Sequence, residues 1–250
     1  MTRTNILLIL CLLISQSVFG IHHSDTLKLG SRKFEYQLNY KNLVIPSSLF
    51  IYGAVGTYVD PFKQWNVDIR NKVMNSVSRT YTIDDELRYV PIASVYLLDF
   101  VGVKAKHRFV DRTIIIFTSY VLTTATVRTL KGTTRIMRPD SSLRTSFPSG
   151  HTSLAFAGAE FMWQEYKDKS IWYGIAGYTV ASSVGALRIV NNKHWLTDVV
   201  AAAGIGILCT KTAYILHERV KYRIMNRSMN AMIIPYYNQN SSGLALSVIF

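Results

Sequence analysis

The chain has 250 residues, 49% hydrophobic and 17% charged, enough for one large domain or two small ones. Its mean hydropathy is slightly positive, above an ordinary soluble domain and below a typical polytopic membrane protein. Lys and Arg number 28 against 15 acids, a net charge of +13; this favours an anionic partner, and the lack of any Lys/Arg-rich block argues against nucleic acid.

In chain order, residues 1–20 read as an export signal. Arg3 supplies the positive n-region, Ile6 to Phe19 contains the apolar h-region, and Val18-Phe19-Gly20 resembles a small-residue cleavage site. Cys11 lies within it, so cleavage leaves Cys209 alone and excludes an intramolecular disulfide. Residues 21–42 are polar and irregular. The run Leu43–Val59 carries no charge, and Asp60-Pro61 then marks a helix start. Phe62, Trp65, Ile69, Val73 and Val77 follow at three- and four-residue spacings, the mark of an amphipathic helix. Further helical stretches are expected near 84–104, 108–130, 149–167, 170–187 and 194–222. With no long alternating strand among them, the reading is an all-α domain over 43–228, a compact bundle of about six helices. A spanning helix needs roughly 20 predominantly apolar residues. The uncharged runs Leu43–Val59, Thr113–Val127, Ile171–Leu187 and Val199–Thr210 are each shorter, which leaves open whether the bundle sits in a membrane or against one. In the tail, 229–250, two β-prone runs flank Asn238 to Gly243 and predict a short β-hairpin.

Three clusters carry chemistry. In "RTLKGTTRIMRPD", Arg128, Lys131, Arg135 and Arg138 recur at spacings of three, four and three, which predicts one basic helix face ended by Pro139. Taken alone it is a solvated face, or a set of basic chains snorkelling at a membrane boundary. In "FPSGH", Ser149 is placed to cap the next helix and Gly150 to let a ligand approach the backbone. The free N–H groups of that first turn form an anion site, with His151 beside it as a proton donor. In "NNKHWLTDVV", His194 and Asp198 are four apart and share a helix face. A carboxylate on one imidazole nitrogen leaves the other free as nucleophile or base. Each of the last two clusters alone is also an ordinary capped turn or surface pair.

Together, Lys131-x6-Arg138-Pro139, Pro148-Ser149-Gly150-His151 and Arg188-x5-His194-x3-Asp198 resemble the three-part signature of the type 2 phosphatidic-acid phosphatase (PAP2) superfamily. That group also takes in bacterial class A acid phosphatases and vanadium haloperoxidases. One departure is Leu187, where the family usually has serine before the arginine; it removes a hydrogen bond near a residue that is itself retained. The short gap between the first two motifs, Asp140 to Phe147, resembles the bacterial phosphatase branch.

The resemblance implies a helical PAP2/haloperoxidase-like fold and a reaction needing no metal or other cofactor. Lys131, Arg138 and Arg188 would surround the phosphoryl group, and backbone N–H groups of Ser149 and Gly150 would add donors. His194 would be the nucleophile oriented by Asp198, and His151 the general acid and base. His22, His23, His107 and His217 have no matching partners and are read as structural. The favoured function is an exported, periplasmic or membrane-associated phosphatase acting on a lipid-borne phosphate: a lipid A phosphate, undecaprenyl pyrophosphate, phosphatidate or phosphatidylglycerol phosphate. Its partners would be that lipid and the membrane, with no nucleic acid. The alternatives are a soluble acid phosphatase of broad specificity, a vanadate-dependent haloperoxidase, and a non-catalytic helical protein that binds anionic lipid.

Overall fold

A computed structural model describes residues 41–77, 79–226, 230–238 and 241–249. The expected signal and most of the irregular segment after it lie outside these residues. Eight helices follow one another in the described chain. They are α1 (Lys41–Gly56), α2 (Asp60–Ser76), α3 (Asp84–Leu87), α4 (Val90–Phe100), α5 (Phe109–Thr134), α6 (Gly150–Tyr166), α7 (Ile171–Val190) and α8 (Leu196–Asn226). Past them, Asn230–Asn238 pairs antiparallel with Ser241–Ile249.

Two departures from the expected helices have a local cause. The stretch 84–104 is not one helix, because Pro91 occupies the first turn of α4. Proline there has no N–H to lose, whereas inside a continuous helix it would clash with the carbonyl four residues back. Likewise, the four basic residues of the first motif do not share one helix. α5 stops at Thr134, and Arg135 caps it in the left-handed region with φ 49°. Arg138, which precedes a proline and is therefore disfavoured in α conformation, lies in the following loop and donates its N–H to Leu143 O at 3.0 Å.

α8 is the axis of the bundle, packed by α1, α5 and α6, while α7 lies along α6. Small residues make these contacts close. A methyl on Gly204 would stand 2.4 Å from Pro46 O of α1, and one on Gly206 would stand 2.2 Å from Ser153 O of α6. Both distances are shorter than any real contact, so glycine is what lets α8 touch a neighbour on each side. Phe50, Ala54, Val127, Leu130, Phe147, Ala201 and Ile205 form a buried core beneath the loop that follows α5. A second core of Val95, Ile115, Phe161, Met162, Tyr166, Ala213 and Tyr214 fills the far half.

By length and composition, α5 and α8 (to Ile224) are long and apolar enough to cross a membrane. The runs Thr113–Val127 and Val199–Thr210 are shorter than these helices because each is flanked by charged residues that the helix carries within it; Lys211 is one. α1 and α2 are bent 91° apart. Across the bend Phe62 of α2 makes an edge contact with Tyr52 of α1, ring centroids 5.4 Å apart. Asn66 fixes α2 to the start of α8, donating to Thr197 Oγ1 at 2.9 Å and accepting from Thr197 N–H at 3.2 Å.

Candidate active site

The three motifs meet where α5 ends, α6 begins and α7 gives way to α8. The loop between α5 and α6 is tied to the loop before α8. Trp195 Nε1 donates to Met137 O at 2.9 Å, and Lys193 Nζ donates to Asp140 Oδ2 at 2.8 Å. Burial opposes ionisation of Asp140, yet the hydrogen bonds from Lys193 and Ser142 hold its carboxyl well below the usual carboxylate range.

Asp198 stands at the third position of α8 and turns back on the start of its helix. Its Oδ2 accepts the Trp195 N–H at 2.9 Å, the reach-back of a capping box. Ser146 Oγ donates a short hydrogen bond to the same oxygen. The His194 Nδ1 is 3.5 Å from Oδ2, and both side chains are buried, 2% and 0% exposed. At that separation the two groups face one another without a formed hydrogen bond, and Nδ1 and the second carboxylate oxygen are left without partners. Burial of the His194 ring pushes its pKa down to about 4; Asp198 opposes this, while the charges of Lys131 and Arg188 add to it. The imidazole is therefore neutral through the physiological range, the form a nucleophile needs.

The basic residues converge on the same point. Lys131 acts electrostatically on Arg138, Asp198 and Arg188, and its Nζ donates to Thr145 O. Arg188 is 9% exposed and its Nη1 donates to Asp84 Oδ2 at 2.5 Å. With Leu187 in place of the usual serine, Asp84 is what holds this guanidinium. The Nε atoms of Arg138 and Arg188 are buried without partners, the state expected of donors kept for an anion.

At the start of α6, the expectation for Ser149 needs correction. It occupies the N-cap position but its side chain makes no cap hydrogen bond; Oγ pairs with Thr152 Oγ1 at 2.9 Å. Its N–H is committed to Asp198 O at 3.2 Å, so it is not a free donor for a ligand. Gly150 and His151 supply the N–H groups that every helix start leaves without intrahelical partners. A methyl on Gly150 would meet only Val127, at an ordinary 3.7 Å, so its value is the open approach to that turn rather than a tight fit. His151 Nε2 lies 2.6 Å from Asp85 Oδ1. Burial lowers the proton affinity of His151, Arg188 and Arg88 lower it further, and Asp85 works against them, the balance lying below the ordinary imidazole value.

Sequence reasoning missed Asp84, Asp85, Ser146 and Arg88, since each gains its meaning only from a distant partner. His107 also proves to be partnered, against expectation, while His217 Nε2 has no hydrogen-bond partner. His107 Nδ1 stands 2.8 Å from Glu165 Oε1, and His217 Nε2 stands 3.3 Å from Asp111 Oδ1. Among the described residues, Asp84, Asp85 and His151 form a trio with ligand-capable atoms within 4.8 Å of one another. A metal ion there would face the guanidinium already on Asp84, so the trio is an ion-pair network.

Residues 112–222 match the family model of the PAP2 superfamily, an interval that contains all three motifs. A lipid A 1-phosphatase of Porphyromonas gingivalis is 48% identical over 84 residues, which is 34% of this chain and 19% of that protein. The chain thus spans about a fifth of the length of that relative. Among solved structures, Aquifex aeolicus LpxE aligns over 60% of this chain and 95% of its own at 22% identity and TM-score 0.47. A transmembrane PAP2-type phosphatidylglycerolphosphate phosphatase from Bacillus subtilis aligns over 70% and 97% at 19% identity and TM-score 0.47. From the end of the first helix turn of α5 to the last turns of α8, the chain matches the PAP2 superfamily.

Proposed function

We propose that the chain is a metal-independent phosphatase that removes a phosphate carried by a lipid, at the outer side of the cytoplasmic membrane. The reading rests on one observation: the buried, neutral His194 beside Asp198, with the cationic Lys131, Arg138 and Arg188 converging on it. Lipid binding alone has no use for such a pair.

In this reading the three cations neutralise the charge spread over the phosphoryl oxygens in the transition state. His194 attacks phosphorus through Nε2, since Nδ1 faces Asp198. The ester P–O bond breaks as the P–N bond forms, and protonated His151 gives its proton to the departing oxygen. Neutral His151 then takes a proton from water, whose oxygen attacks phosphorus; the P–N bond breaks, releasing phosphate and restoring His194. The named activity of the P. gingivalis relative puts lipid A phosphates first among substrates, ahead of undecaprenyl pyrophosphate, phosphatidate and phosphatidylglycerol phosphate.

The test is phosphate release by purified protein from those four lipids and from p-nitrophenyl phosphate, with His194→Ala alongside. Release from a lipid, reduced by at least about 1,000-fold in the variant, is expected when a nucleophile is removed. An alkaline quench with radiolabelled substrate should leave label on the wild type and none on the variant. Equal turnover of the soluble ester would move the assignment to an acid phosphatase of broad specificity.

A further inference from the structure

His151 is not held by its own helix. Its Nε2 is bonded at 2.6 Å to Asp85, 66 residues earlier in the chain. The neighbouring Asp84 is buried and takes Arg188 Nη1 at 2.5 Å, with Asn191 Nδ2 on its other oxygen at 3.1 Å. One short turn thus supplies a carboxylate to the phosphate-binding arginine and a second to the acid–base histidine. The charged groups near His151 are Arg188 from α7, Arg88 and Asp85 from α3 and its end, and Asp84, whose carboxylate is already bonded to Arg188. Both arginines repel an imidazolium, and Asp85 is the carboxylate bonded to the ring. Asp85 is also 55% exposed, so nothing in packing obliges it to find a partner; Asp84, Asn191 and Tyr81 anchor the segment without it.

We propose that Asp85 is a positioning residue for the leaving-group proton. By accepting from Nε2–H it fixes the tautomer of His151 and leaves Nδ1 as the nitrogen that gives and takes the proton. It also keeps the ring protonatable between two arginines. The site then holds two carboxylate–imidazole pairs, Asp198 with the nucleophile and Asp85 with the acid. The proposal rests on the phosphatase reading above.

The experiment measures kcat/KM, which reports events up to phosphoryl transfer, for full-length wild type, Asp85→Asn and Asp85→Glu in detergent. Two substrates are used: dihexanoyl phosphatidate, whose alkoxide must be protonated as it leaves, and p-nitrophenyl phosphate, whose phenolate leaves unaided. Asp85→Asn should lose about tenfold or more on the phosphatidate, within the range a general acid contributes, and less than about threefold on the aryl ester. Its alkaline limb on phosphatidate should move to lower pH, because the remaining neighbours lower the proton affinity of His151. Asp85→Glu, which retains a carboxylate, should restore most of the rate and the limb, and it carries the same readout should the asparagine variant not fold. Equal losses on both esters with the limb unmoved would overturn the role of Asp85 and leave the phosphatase reading standing. No release by wild type from either ester, nor from lipid A or undecaprenyl pyrophosphate, would overturn that reading, and the proposal with it.

Discussion

At the scale of single residues, the proposed reaction sets two histidines to opposite tasks by where the site places them. His194 must be neutral to attack, so activity is lost as pH falls through its depressed value of about 4. His151 must be protonated to release an alkoxide, so activity is lost as pH rises through its own pKa, which also lies below the ordinary imidazole value. The expected kcat/KM profile for an alkyl phosphate is therefore a bell placed on the acid side of neutrality. A plateau extending above pH 8 would contradict that assignment of His151. The motif residues were legible in the sequence because their spacing is a covalent property. Asp84 and Asp85 were not: an acidic pair opening a helix is ordinary, and only the fold brings them to Arg188 and His151. Ser146 is similar, since its hydrogen bond to Asp198 spans 52 residues.

At the scale of elements, α8 does two things that a periodicity argument could not anticipate. It carries Lys211 in its middle, buried and bonded at 2.7 Å to Glu160 of α6, which also accepts from Gln164 at 2.6 Å and from Tyr178. Removing one member leaves a buried charge alone, so Lys211→Met should cost about 3–5 kcal/mol of stability, and adding Glu160→Gln should recover much of it. Thermal unfolding in detergent measures both. α8 also touches its neighbours through glycine. Gly206→Leu would drive a side chain into Ser153 O and force α6 away, with His151 and Ser149 at its start; overpacking of this kind costs about 1–3 kcal/mol or more, and phosphate release should fall along with Tm. Helix existence was legible from apolar spacing. Helix ends depended on proline and on one left-handed residue, and the breaks at Pro91 and Arg135 were read through.

At the scale of the whole molecule, the basic surplus and the apolar helices suit an anionic amphiphile better than a soluble ester. The flank of α5 presents Ile114, Phe117, Tyr120 and Val121 outward, and a side like this is costly in water. Extraction from membranes should therefore require detergent; recovery in an alkaline carbonate wash would contradict the membrane reading. Length and composition favoured an anionic partner but did not give the spans, because a helix can carry a buried ion pair through an apolar layer and the sequence shows only the interruption.

The right-angled turn between α1 and α2 has a consequence for where the reaction happens. If α1 stands upright in a bilayer, α2 lies flat along its surface, with Trp65 outward and Asn66 bonded to the first turn of α8. His194, two residues before that turn, is then leashed to the plane of the headgroups like a blade set at fixed height. Trp65 fluorescence, in a variant whose other three tryptophans are replaced by phenylalanine, should be quenched most by lipids brominated near the top of their chains.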